Sequence, residues 1–70
     1  MTGIHVVHKQ GSWVVEQAGG RHLGTYPSQD AAIEAGREQA KTAQGELFIH
    51  DEQGQIRDRS SFGNDPRGRG

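Results

Sequence analysis

Two pairs of adjacent valines, Val6-Val7 and Val14-Val15, constrain the fold of this chain more than any other feature. Each pair lies in a run rich in β-branched residues, and Gln10-Gly11-Ser12 between the runs supplies turn chemistry, which is typical of a β-hairpin. Because neighbouring residues of a strand point to opposite faces, both faces of this hairpin carry apolar side chains. The sequence therefore predicts a sheet that needs cover on both sides.

The chain continues as strand and then changes to a helical pattern. Ala18-Gly19-Gly20 predicts a second turn and residues 21–26 a third strand, so residues 4–26 are predicted to form a three-stranded antiparallel meander. Ser28 is a good N-cap and Gly45 a natural left-handed cap, which predicts a helix over residues 29–44. Small residues recur along it at three- and four-residue spacing, and these predict close packing of the helix against the sheet.

A second hairpin completes the fold. Residues 46–50 form a short apolar strand, residues 51–54 a turn and residues 55–59 a polar strand. The predicted order is βββαββ, an α+β fold with one helix on one face of the sheet. Residues 1–62 are therefore expected to form a single small domain. Residues 63–70, which are rich in glycine and arginine and contain no apolar side chain, are expected to form a flexible C-terminal tail.

Composition limits what such a domain can do. Apolar residues make up 30% of the 70 residues, and a core of that size supplies only about 3–5 kcal/mol, so either the fold is marginal or a second copy supplies further burial. Cysteine is absent, so disulfides, zinc–thiolate sites and cysteine nucleophiles are excluded. No run of about 18 apolar residues occurs, and the N-terminus lacks the basic and apolar regions of a signal peptide. We expect a cytoplasmic protein that does not associate with membranes.

The histidines are the first candidates for chemistry. His5 and His8 are three residues apart in a strand and point to opposite faces, so they cannot hold one metal ion together. His22 and His50 could converge with one of them, but no spacing requires it. No nucleophile elbow, phosphate-binding loop or paired-carboxylate motif is present. The sequence predicts no enzyme activity, no catalytic residue, no metal, no cofactor and no small-molecule substrate.

Two hypotheses for the function remain. The first is a non-enzymatic module that self-associates, most simply as a homodimer, or binds another protein through an exposed apolar sheet face. The residues expected to contact the partner are Val7, Trp13 and Val15.

The alternative is a weak nucleic-acid-binding accessory protein that uses the arginines of the C-terminal region. Residues 53–70 contain four arginines and two aspartates, a net charge of +2 in a chain whose net charge is −1. Two of these arginines are expected on one face of the last strand and two in the tail, where they could follow phosphates. A solvated edge strand that discourages aggregation, followed by a frayed terminus, explains the same charges. The arginines are Arg57, Arg59, Arg67 and Arg69.

The whole chain resembles a family of small bacterial proteins, the domain of unknown function 2188. The resemblance implies a short stand-alone bacterial protein and supplies no activity or binding residues. His8 departs from the family, in which proline is frequent at that position. The matching stretches are His5-Val6-Val7, Gly11-Ser12-Trp13-Val14-Val15, residues 31–37, residues 46–50, residues 54–57 and Ser60-Ser61-Phe62-Gly63-Asn64-Asp65-Pro66.

A second resemblance covers residues 11–40. Gly11-Ser12-Trp13, followed by Leu23-Gly24-Thr25-Tyr26 and an alanine-rich helix, is similar to the three-strand-plus-helix DNA-binding domains of some plant transcription factors and phage integrases. Those domains read DNA with arginines on the sheet. The corresponding strands here offer only Lys9 and Arg21, so the DNA-reading residues cannot be carried over.

Overall fold

A computed structural model describes residues 3–62 of the chain. Five strands form one sheet and a single helix follows the third strand, so the predicted α+β class and the order βββαββ are confirmed. The predicted tail, residues 63–70, lies outside the described residues. The elements are β1 (Gly3–Lys9), β2 (Ser12–Gln17), β3 (Arg21–Tyr26), α1 (Gln29–Ala43), β4 (Glu46–His50) and β5 (Ile56–Ser61).

The sheet has the strand order β3-β2-β1-β4-β5. The first three strands form the predicted antiparallel meander, and β4 and β5 form the predicted antiparallel hairpin. The two parts meet where β1 and β4 pair in parallel. A parallel pair needs a crossover connection, and here β2, β3 and α1 together form it. The N-terminal strand therefore lies at the centre of the sheet.

The helix packs closely against the central strands. Its buried residues are Ala32, Gly36 and Ala40. A Cβ atom added to Gly36 would lie 3.0 Å from Cδ1 of Leu47 and 3.1 Å from Cγ2 of Val6. The predicted close approach is therefore present, and it depends on the missing side chain at Gly36. No helix within the described part of the chain is long and apolar enough to cross a membrane.

The ends of the helix follow the expected capping chemistry with one change. The hydroxyl of Ser28 accepts a hydrogen bond from the backbone N–H of Ala31, at 3.2 Å. The left-handed residue at the other end is Gln44, with φ of 54°, and not the expected Gly45. Gly45 follows it and donates its N–H to the carbonyl of Ala40, at 2.9 Å. A residue with a side chain thus occupies the conformation that favours glycine.

The register of β1 and β2 decides which valines face the helix. Val6 lies opposite Val15 and Val7 lies opposite Val14. Val6 and Val15 are buried in the core, with 0% and 1% of their surface exposed, and Val7 points away from it. Trp13 precedes Val15 by two residues, shares its face and is also buried in the core.

The expected exposure of Trp13 and Val15 beside Val7 is therefore wrong. The reason lies in the first turn, which consists of only two residues, Gln10 and Gly11, with φ angles of 51° and 80°. A three-residue turn that included Ser12 would have placed Val7 opposite Val15. A change of one residue in register moves every side chain of a strand to the other face.

Candidate functional site on the open face of the sheet

The sheet face that points away from α1 is the candidate functional site, because α1 is the only described element outside the sheet and packs against the opposite face. The side chains on it alternate along each strand with those of the core. We call this surface the open face. Its residues are His5, Val7, Lys9, Ser12, Val14, Glu16, His22, Thr25, Glu46, Phe48, His50, Ile56, Arg59 and Ser61.

Three rings from β1 and β4 form a row on the open face. His5 stacks on Phe48 with ring centroids 4.8 Å apart and an angle of 16° between the planes. Nδ1 of His5 lies 3.0 Å from Nε2 of His50. The parallel register places His5 beside Phe48, and His50 follows Phe48 by two residues on the same face. His8 points to the other face, as predicted, and its ring packs against Trp13.

Hydrogen bonds determine where the protons of the histidine pair lie. Nδ1 of His50 is 3.2 Å from the carbonyl oxygen of Gly54, in the turn between β4 and β5. A carbonyl only accepts, so Nδ1 of His50 carries a proton, and in the neutral ring Nε2 accepts from the N–H of His5. Burial lowers the pKa of His5 below 6.5, and charge on His50 lowers it further, although Glu16 acts in the opposite direction. His5 is therefore neutral at pH 7.

An ion pair crosses the first hairpin beside the valines. Nζ of Lys9 binds Oε2 of Glu16. Lys9 lies opposite Ser12 at one end of the hairpin, and the bridge runs past the Val7–Val14 pair to the neighbouring strand. Val14 is only 7% exposed although it faces away from the helix.

A groove lies at the turn end of the open face. Its volume is about 490 Å³, and both apolar and polar side chains line it. The lining residues are Lys9, Gln10, Ser12, Val14 and Thr25. Because of this groove the open face is not flat, and a partner could insert side chains into it.

A smaller cavity of about 290 Å³ lies on the helix side of the sheet. It has an aromatic edge from Trp13 and otherwise polar walls, and it is slightly smaller than the usual range of ligand pockets, about 300–1,000 Å³. No group of three or more His, Cys, Asp or Glu side chains within residues 3–62 is arranged to hold a metal ion. The cavity is lined by Trp13, Gln29, Asp51, Glu52, Gln53 and Arg57.

The arginines of β5 do not form one patch. Nη1 of Arg57 donates to Oε1 of Gln29 at the start of α1, at 2.8 Å. Arg59 lies opposite Phe48 on the open face. The expectation that both arginines share one face fails because the β4–β5 register shifts between Ile49 and His50. The two tail arginines of the nucleic-acid hypothesis, Arg67 and Arg69, lie outside the described residues.

Phe48 is an apolar open-face residue that the sequence analysis does not assign to the partner surface, as are Val14 and Ile56. The signal was available, because Leu47-Phe48-Ile49 is a run of three apolar residues in a short strand. The same argument that was applied to the paired valines indicates apolar side chains on both faces of β4. Of the predicted contact residues, only Val7 lies on the open face, where Val14 and Phe48 accompany it.

Comparison with known proteins identifies a family but no activity. A family model described as an uncharacterized protein conserved in bacteria (DUF2188) matches residues 4–62, which confirms the resemblance drawn from the sequence. No curated protein and no solved structure matches the chain. The resemblance of residues 11–40 to DNA-binding domains stays a prediction.

Proposed function

The chain belongs to DUF2188, a bacterial family described as uncharacterized, and we propose that it is a non-enzymatic module that forms a homodimer through its open face. The observation that carries this proposal is the apolar centre of that face. Val7 and Phe48 lie there half-buried on two central strands, Ile56 lies beside them 60% exposed, and no described element packs over them. Covering this centre would add apolar burial to a domain with a small core.

The edges of the sheet are less suited to association than the open face. An edge strand with charged side chains or an irregular register resists pairing with another chain. The edge strand β5 presents Arg57, Asp58 and Arg59, all exposed. The other edge strand, β3, has an irregular register with β2 next to Val15. Association through the face of the sheet is therefore favoured over extension of the sheet.

Charge on the open face favours a second copy as the partner. Its charged residues are two bases, Lys9 and Arg59, and two acids, Glu16 and Glu46, and these sum to zero when the histidines are neutral. Two copies therefore do not repel each other. A two-fold axis brings the same patch of both copies together, so a patch with both signs of charge can complement itself.

The size of the open face predicts a weak dimer. Five strands spaced by about 4.8 Å, each with about six residues at roughly 3.3 Å, give a face of roughly 24 by 20 Å. Two such faces would bury roughly 1,000 Å² plus the relief of the side chains, near the lower limit of about 1,200 Å² for stable interfaces. The dimer should therefore form at high concentration and dissociate on dilution.

Sedimentation equilibrium over a concentration series tests the proposal. We expect the apparent mass of the wild-type protein to rise from about 7.6 kDa towards twice that value and to respond little to salt. Val7→Lys places a charge at the centre of the open face and should keep the protein monomeric. Thr25→Lys, at an exposed position of the same face, should weaken the dimer without affecting the core.

Ala43→Lys is the matched control, since it adds the same charge at an exposed position on α1. It should dimerise like the wild type. A wild-type protein that is monomeric at millimolar concentration would contradict the proposal, as would folded Val7→Lys and Thr25→Lys variants that associate normally. Binding to duplex DNA that weakens steeply with salt would instead support the arginine-based alternative.

A further inference from the structure

We propose that His5 and His50 form a binding site for a divalent late transition-metal ion such as Zn²⁺. Both ligands come from one chain and lie on the open face, so the ion would bind the monomer, and the proposed dimer would cover the site. The two side chains lie 45 positions apart in the sequence and meet on the open face through the parallel pairing of β1 and β4. Water would occupy the remaining coordination positions.

The distance between the two nitrogens suits one metal ion. Nδ1 of His5 and Nε2 of His50 are 3.0 Å apart. Two nitrogens that each lie about 2.05 Å from a zinc ion are about 2.9 Å apart at a right angle and about 3.3 Å apart at a tetrahedral angle. The observed separation lies between these values. The separation therefore fits one shared ion, and both rings would have to turn so that their lone pairs point at the ion instead of at each other.

Hydrogen bonding prepares His50 to act as a ligand. Its Nδ1–H donates to the carbonyl of Gly54, which leaves Nε2 unprotonated and directed at His5. Histidines that ligate metals commonly donate their other ring N–H to a carbonyl or carboxylate in this way, which fixes the tautomer and the ring orientation. His5 becomes a ligand when its proton moves from Nδ1 to Nε2, and the ring stays neutral.

The surroundings hold the second ring in place. Stacking on Phe48 restricts the plane of the His5 imidazole. Glu16 lies opposite His5 on β2 and provides a carboxylate on the same face, while Arg59 lies opposite Phe48 and provides a positive charge. With two neutral imidazoles as the protein ligands, the site suits zinc, copper or nickel, and it does not suit magnesium or calcium, which prefer oxygen ligands.

Titration of the untagged full chain with Zn²⁺ tests the site. We would record imidazole ¹H–¹⁵N spectra and measure the affinity by calorimetry at pH 7.5. Zn²⁺ should move the ring resonances of His5 and His50, with Nδ1 of His5 and Nε2 of His50 as the bound atoms. Two linked ligands bind roughly 10²- to 10⁴-fold more tightly than a single ligand. His5→Gln and His50→Gln should therefore each lower the Zn²⁺ affinity by at least about 100-fold.

His22→Gln is the matched control, because His22 lies on β3 and contacts Thr25 instead of the pair. Its Zn²⁺ affinity should equal that of the wild type. Phe48→Leu, which removes the stacked ring and keeps an apolar side chain, should weaken binding less than loss of either ligand. The proposal would be overturned if the ring resonances did not move with Zn²⁺, or if His22→Gln and His50→Gln lost the same amount of Zn²⁺ affinity.

Discussion

Replacing Gly36 with alanine tests the packing of the helix against the sheet in the most direct way. Alanine gains about 1 kcal/mol over glycine inside a helix. The new Cβ would lie 3.0 Å from Cδ1 of Leu47 and 3.1 Å from Cγ2 of Val6. Both neighbours are buried, with 1% and 0% of their surface exposed, so neither can move into solvent. Overpacking of this kind costs about 1–3 kcal/mol.

The two effects leave a net destabilisation of about 1 kcal/mol, which corresponds to a fall in the melting temperature of roughly 4–8 °C for a domain of this size. Thermal and urea unfolding, followed by circular dichroism, would measure it. Leu47→Val removes the methyl group nearest to the new Cβ. In that background Gly36→Ala should cost at least about 0.5 kcal/mol less, since residues in contact are coupled by about 0.5–3 kcal/mol.

A melting temperature that rises with Gly36→Ala in the wild-type background would refute the reasoning. It would mean that the helix lies farther from Leu47 and Val6 than the structure shows. Additive effects of Gly36→Ala and Leu47→Val would also contradict it. Glu38→Gly, at an exposed position of the same helix, supplies the matched reference for helix propensity and should cost about 1 kcal/mol.

Three further predictions concern stability. Trp13→Ala should cost about 3–5 kcal/mol of stability, because the ring is buried in the core. Loss of the near-ultraviolet circular dichroism of the folded protein would show this. A folded variant that only fails to dimerise would contradict the core assignment. Gln44→Gly should raise stability by about 0.5–1 kcal/mol, measured by urea unfolding, because it relieves the left-handed conformation of a residue with a side chain. The lowered pKa of His5 means that the unfolded chain binds its proton first as the pH falls. Stability should therefore fall as the pH drops below 6.5, until the pKa of the folded state is reached. His5→Gln should reduce this pH dependence in thermal unfolding, and an unchanged slope would assign it to other groups.

The order of elements could be predicted from the sequence because each element carries its own local signal. Ser28 marks the start of the helix, and glycines mark the turns after β2 and β4. The alternation of side chains between the two faces of each strand can also be predicted from the sequence. The register between β1 and β2 cannot be predicted in this way, because it depends on whether Ser12 belongs to the turn or to β2. That single residue decided whether Trp13 and Val15 were assigned to the partner surface or to the core.

The histidine pair illustrates a second limit. His5 and His50 meet because β4 pairs in parallel with β1 from Gly3–Glu46 to Val6–Ile49, and His50 directly follows the last paired residue. Nothing local to either residue encodes that pairing. The left-handed conformation of Gln44 could not be predicted for a different reason. Local propensity favours glycine in that conformation, and Gly45 lies one position later. The hydrogen bond from Gly45 to Ala40 fixes the actual end of the helix.

The parallel pairing of β1 with β4 also determines the order in which the protein can fold. Residues 3–6 pair with residues 46–49, so this contact closes a loop of about 40 residues, which carries a large entropic cost. The meander and the C-terminal hairpin each consist of neighbouring strands and need no such closure. We therefore expect the meander and the C-terminal hairpin to form early, and the β1–β4 pairing that joins them to form late. Amides of β4 and β5 should then exchange with solvent as one group, separately from those of β2 and β3.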